Sequence, residues 1–130
     1  MKSNSFFKSV YIRMFIYAFN GIKFSVKNER NMKIHIFFGT FAIILSILLK
    51  ISLDEFAIIV LTISAVIFTE LINSSIEVTV NLVTDGKYNK LAGIAKDTSA
   101  GAVLISAIAS VLVASLIFIP HIIYIFHLKL

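Results

Sequence analysis

The chain has 130 residues, the length of one domain. Hydrophobic residues make up 58% of it and charged residues only 15%, with a mean hydropathy of +0.95. A soluble domain carries about 25% charged residues, so this composition points to a protein that lives in lipid. With no cysteine, disulfides and thiolate metal sites are excluded. The net charge of +5 comes from basic residues crowded at the ends of apolar runs. That placement suits anionic headgroups or nucleotide phosphates and argues against nucleic acid as a partner.

Residues 5–25 are interrupted by Lys8, Arg13, Asn20 and Lys23, so they do not form a span, yet Phe7, Val10, Tyr11, Met14, Phe15, Ala18 and Ile22 recur at three- and four-residue spacing. The pattern predicts an amphipathic helix on the membrane surface, with Lys2, Lys8 and Arg13 at lipid headgroups and a bend or close contact permitted at Gly21. No small-residue cleavage site follows, so a cleavable signal peptide is not expected. Residues 27–35 read as a short polar bridge, and 34–50 as a first transmembrane helix. A short connection from Lys50 to Glu55 makes the next helix an antiparallel neighbour. That helix, 56–81, is the second span, and Asp54 and Glu55 suit its N-terminus. Residues 81–97 are expected to be a polar, partly helical link containing the turn signal Thr84-Asp85-Gly86-Lys87. The third span, 98–126, begins with small residues fit for close helix packing and has Pro120 near its far end. His35, His121 and His127 read as membrane-boundary residues. The expected fold class is therefore all-α, integral to the membrane, with three transmembrane helices and an N-terminal surface helix.

Seven Lys or Arg precede the first span and three lie between the second and third, against Lys50 and Lys129 on the other side. The positive-inside rule then puts the N-terminus and the 81–97 link in the cytoplasm.

The second span carries an unusual feature. At roughly 100° per residue, Glu70, Asn73, Ser74, Glu77 and Asn81 share a stripe about 100° wide, while Leu71, Ile72, Ile76, Val78 and Val80 cover the rest. Counted from Phe56, Glu70 comes about 21 Å and Glu77 about 31 Å along the helix, near one face of a hydrocarbon core about 30 Å thick. An ionisable group inside lipid is costly and marks a functional site by default. A carboxylate just below the interface can take a proton from a lipid alcohol, and one nearer water can hold Mg²⁺ carrying nucleotide phosphates. Glu29 is the other acid at that end of a span, and Lys96 and Asp97 open the third span there, where they can neutralise and orient a transferring phosphoryl. The competing reading makes Glu70, Asn73 and Glu77 hydrogen-bonding glue in a scaffold or channel subunit. The glycine-rich phosphate loops and kinase signatures of soluble nucleotide-binding folds are missing, as is a His-Glu-x-x-His zinc motif.

Three segments carry a family resemblance: Asn28-Glu29-Arg30-Asn31 before the first span, the pattern Glu-x-x-Asn-Ser-x-Ile-Glu over 70–77, and Ala95-Lys96-Asp97 with the small residues after it. Over roughly residues 15–115 the chain resembles the small bacterial integral-membrane diacylglycerol kinase and undecaprenol kinase family. The resemblance implies a homotrimer in the cell membrane that uses MgATP to phosphorylate a lipid alcohol at the cytoplasmic interface. It implies Glu70 as general base, Glu29 and Glu77 as holders of Mg²⁺, and Tyr17, Glu29, Glu77, Lys96 and Asp97 as ATP-binding residues, with Asn73 lining the site. The bridge and the Ile/Lys/Asn-rich composition are similar to the Gram-positive branch, which favours undecaprenol over diacylglycerol. Two positions depart from the family: Asn81 stands where Asp is usual, and Asn89 where His is frequent.

Overall fold

The computed structural model describes residues 3–127. Lys2, Lys129 and the side chain of Lys8, named above for their charge, lie outside the described part. The fold is all-α: α1 (Ser3–Asn28), α2 (Arg30–Leu49), α3 (Leu53–Thr84) and α4 (Lys90–His127). Three of these, α2, α3 and the stretch Lys90–Ile125 of α4, are long and apolar enough to cross a membrane.

The helices outrun the apolar segments because polar residues cap them. Ser52 starts α3 with a capping box: its side chain accepts from Glu55 N, and the Glu55 carboxylate accepts from Ser52 N at 2.8 Å. Asn89 does the same for α4, its Oδ1 accepting from Leu91 N at 2.9 Å and Ala92 N at 3.1 Å. The residue that departs from the family's His thus has a local role, and α4 begins eight positions before the apolar run. The 81–97 link shrinks accordingly to a turn at 85–89, in which Asp85 (φ 53°) and Gly86 (φ 71°) take left-handed backbone. The polar bridge expected over 27–35 is reduced to Glu29, whose extended backbone (φ −93°, ψ 124°) breaks α1 from α2. Lys50, at φ 51°, ends α2, and its N–H reaches Ile47 O.

These tight links make α2, α3 and α4 an antiparallel bundle, in which α3 and α4 form the most extensive pairing, while α1 packs on α2 and α3 among the described residues. Ile59, Ile117 and Phe118 form its buried apolar cluster, against which Ala42, Leu45 and Ile63 pack. Gly39 lets α2 approach α3, since a Cβ there would stand 3.0 Å from Ile63 Cγ2. Gly21, by contrast, has open space around it among the described residues, so of the bend or close contact expected there no close contact is made within the described part. Many large apolar side chains face outward, among them Phe41, Leu48, Leu112 and Leu116, which in lipid is not penalised.

Length fixes where the polar seam sits. The 20 residues of α2 span about 30 Å, the thickness of the hydrocarbon core. The 32 of α3 span about 48 Å, so its far end must emerge. Counted from Leu53 rather than Phe56, Glu70 lies about 26 Å and Glu77 about 36 Å along, which puts them on either side of the boundary.

Candidate active site

The seam on α3 divides by partner. Asn73 and Ser74, each 4% exposed, tie α3 to its neighbours. Ser99 on α4 donates from Oγ toward Asn73 Oδ1 at 2.7 Å, and Asn73 Nδ2 donates to Glu77 Oε1 at 3.3 Å. Asn73 therefore both joins two helices and orients an acid, combining the glue and site readings in one side chain. Ser74 Oγ donates to the Glu70 carbonyl at 3.0 Å, which leaves Ser25 Oγ of α1, 2.9 Å away, as donor to Ser74. Ser25 is 1% exposed, so this bond is the buried attachment of α1 to the bundle. Ser25→Ala is expected to cost about 1–3 kcal/mol, the range for stranding a buried polar partner. The double change with Ser74→Ala should cost less than the sum, with a coupling of about 0.5–3 kcal/mol in thermal unfolding in detergent. Strict additivity would mean the bond carries nothing.

Glu70 stands apart from this network. It is fully buried (0% exposed), and neither carboxylate oxygen has a hydrogen-bond partner among the described residues. His35 of α2 stands beside it, with Nε2 3.9 Å from Oε2, beyond hydrogen-bond reach. Glu29 and Glu77 both lie close enough to act on Glu70 electrostatically, so three acids share one end of the bundle. Lys96, at the start of α4, donates from Nζ to Asn81 Oδ1 at 2.8 Å. Asn81, the position that departs from the family's Asp, thus anchors the cation through an amide oxygen.

The residues expected at the site do not all converge. Asn73 and Asn81 join α3 to α4 through Ser99 and Lys96, Glu77 is held by Asn73, Glu70 faces His35 of α2, and Glu29 comes near Glu70 on the break between α1 and α2. Asp97 is exposed beside Lys96. Tyr17, 68% exposed, lies two turns before Ser25, about 12 Å along α1, and is not brought to the seam within one chain. Among the described residues no three His, Asp or Glu come close enough to hold a metal by themselves. Magnesium carrying a nucleotide asks for only one or two protein carboxylates, and Glu29 and Glu77, each within electrostatic reach of Glu70, are acids available at this end of the bundle.

Reading the sequence missed Ser25, Ser99 and His35. The signal for His35 was present: on α2, Met32, Gly39 and Ser46 are buried at seven-residue spacing, and His35 and Ala42 fall on the same face. Its side chain is 17% exposed, so it faces the bundle.

A bundle of three helices long and apolar enough to span, with one buried acid, two half-buried ones and a hydrogen-bonded lysine toward one end, is a membrane protein. A family model described as prokaryotic diacylglycerol kinase matches residues 16–118, a stretch that holds every candidate site residue. An undecaprenol kinase of Bacillus subtilis is 40% identical over 117 residues, covering 90% of each chain. A diacylglycerol kinase of Synechocystis sp. is 39% identical over 106 residues, 82% of this chain, which spans only 61% of that relative's length. The chain belongs to the prokaryotic diacylglycerol kinase family, a family of lipid kinases.

Proposed function

We propose that this chain, as a single domain, transfers the γ-phosphoryl of ATP to the hydroxyl of a membrane lipid alcohol, and that the alcohol is undecaprenol. The observation that carries the reading is Glu70: a fully buried carboxylate on a membrane helix with no hydrogen-bond partner among the described residues. Packing alone would not retain so costly a group, whereas a base that must meet a hydroxyl out of water needs it.

Glu70 takes the proton of the alcohol as its oxygen bonds to phosphorus, the bond from phosphorus to the bridging oxygen breaks, and ADP leaves with the electron pair. Lys96, held by Asn81, offsets charge on the transferring group. Asn73 fixes the Glu77 carboxylate, Asp97 orients the nucleotide and Tyr17 contacts it. Glu29 and Glu77 would hold Mg²⁺, which neutralises phosphate charge. Tyr17 stands far from this chain's own seam, and exposed apolar side chains line the bundle, which supports assembly as a homotrimer in the cell membrane. The excess of Lys and Arg before α2 and between α3 and α4 supports a cytoplasmic N-terminus.

The choice of undecaprenol rests on the Bacillus relative, matched over 90% of both chains. Purified protein in detergent, given MgATP and each lipid in turn, should phosphorylate undecaprenol at a higher kcat/KM than diacylglycerol. The reverse order would exchange the acceptor, and no transfer to either would end the enzyme reading.

A further inference from the structure

We propose that His35 holds the hydroxyl of the lipid alcohol against Glu70, at the head of an apolar groove that takes the alcohol's chain. The inference rests on the reading of Glu70 as the base, and it names the group that presents the acceptor to it.

Three polar atoms are buried without a hydrogen-bond partner among the described residues: His35 Nε2, Glu70 Oε1 and Glu70 Oε2. All three belong to one pair of side chains on facing helices. Each such atom costs about 1–3 kcal/mol if left unmade, so their collection at one point asks for a shared guest. The separation of 3.9 Å between Nε2 and Oε2 is too long for a direct bond. One oxygen about 2.8 Å from each would close it. A hydroxyl has the right inventory, since its hydrogen is donated to the carboxylate while its oxygen accepts from Nε2–H, which leaves a lone pair for phosphorus.

The second observation is the groove itself. A cavity of about 420 Å³ runs between α2, α3 and α4, with His35, Val66 and Ala107 at one end and Leu45, Ile59 and Phe118 at the other. From His35 to Leu45 it follows α2 for about 15 Å. Glu70 sits one turn beyond Val66, past the His35 end. The hydroxyls on its walls are engaged, Thr62 Oγ1 donating to Ile58 O and Ser110 Oγ to Ala107 O. The unpartnered polar group on the lining is therefore His35, and a guest with one polar end and an apolar chain has a single orientation available: head at His35, chain toward Phe118. A phosphate or a nucleotide finds no match in such walls. His35 acts through the acceptor's orientation and is a positioning residue, while Glu70 takes the proton.

The test is equilibrium binding in detergent without nucleotide, comparing a short polyprenol with the hydrocarbon that lacks its hydroxyl. The wild type is expected to bind the alcohol about 100-fold tighter, the value of two added hydrogen bonds, one to Glu70 and one from His35. His35→Leu should cut that preference about 10-fold while keeping its affinity for the hydrocarbon, and His35→Gln, which carries an amide N–H to nearly the same place, should keep it whole. If His35→Leu no longer binds the hydrocarbon, the pair His35→Gln and His35→Asn decides, preference kept in the first and cut about 10-fold in the second, whose arm is too short. A preference undiminished in both His35→Leu and His35→Asn, or a wild type that binds alcohol and hydrocarbon alike, overturns the proposal. A wild type that prefers the alcohol through His35 but transfers no phosphoryl from MgATP upholds the hydroxyl site and ends the kinase reading instead.

Discussion

Glu70→Gln is expected to lower lipid phosphorylation by about 10²–10⁴-fold, the contribution of a positioned general base. The substitution keeps the shape of the side chain and removes only its capacity to take a proton. Because the carboxylate is buried without a hydrogen-bond partner among the described residues, an amide in its place should leave the protein as stable as before or more so, since an unpaired ionisable group is costlier to bury than a neutral one. Activity and stability are thus predicted to move independently, which separates a base from a structural acid. Steady-state transfer and thermal unfolding on one detergent preparation give both readings. Transfer near the wild-type rate would put the base elsewhere, and collapse of the fold would return Glu70 to the role of glue.

Glu29→Gln and Glu77→Gln should each raise the Mg²⁺ concentration needed for half-maximal rate by about 10–150-fold, equivalent to losing one charge-assisted contact of about 1.5–3 kcal/mol. Excess Mg²⁺ should recover much of the rate in these variants and none of it in Glu70→Gln. The two acids differ in their support. Glu77 is tied by Asn73, whereas Glu29 sits on the one-residue break between two helices, so Glu29→Gln should also perturb how α1 is set against α2. A magnesium dependence that is unchanged in both variants would remove the pair from the metal.

Much of this site was legible in the residues because the relevant physics is local. Helix periodicity placed Glu70, Asn73, Ser74, Glu77 and Asn81 on one stripe, and the cost of carboxylates in lipid marked the stripe as significant. Run lengths also sufficed to find the three spans. Their ends were less legible. Asn89, Ser52 and Glu29 set the boundaries through caps and a single extended residue, and these act by hydrogen bonds that hydropathy does not register. Contacts between helices were the least visible. Ser25 with Ser74, Ser99 with Asn73 and His35 beside Glu70 each depend on the rotation of one helix against another. Only on α2 did the sequence carry a hint, in the seven-residue recurrence of Met32, Gly39 and Ser46.

The manner in which α1 is attached has a mechanical consequence. Its fulcrum is Glu29, and its pin, Ser25 on Ser74, lies four residues away, about 6 Å along the axis. From Glu29 back to Ser3 the helix is about 39 Å long, so tip and pin stand in a ratio of roughly six to one measured from Glu29. Were the helix to turn as a rigid body about Glu29, a shift of about 0.5 Å at Ser74, one turn from Glu70, would become a sweep of about 3 Å at the far end of α1. Small adjustments around Glu70 would thereby be amplified at that end, and a push there would be geared down before it reached Glu70.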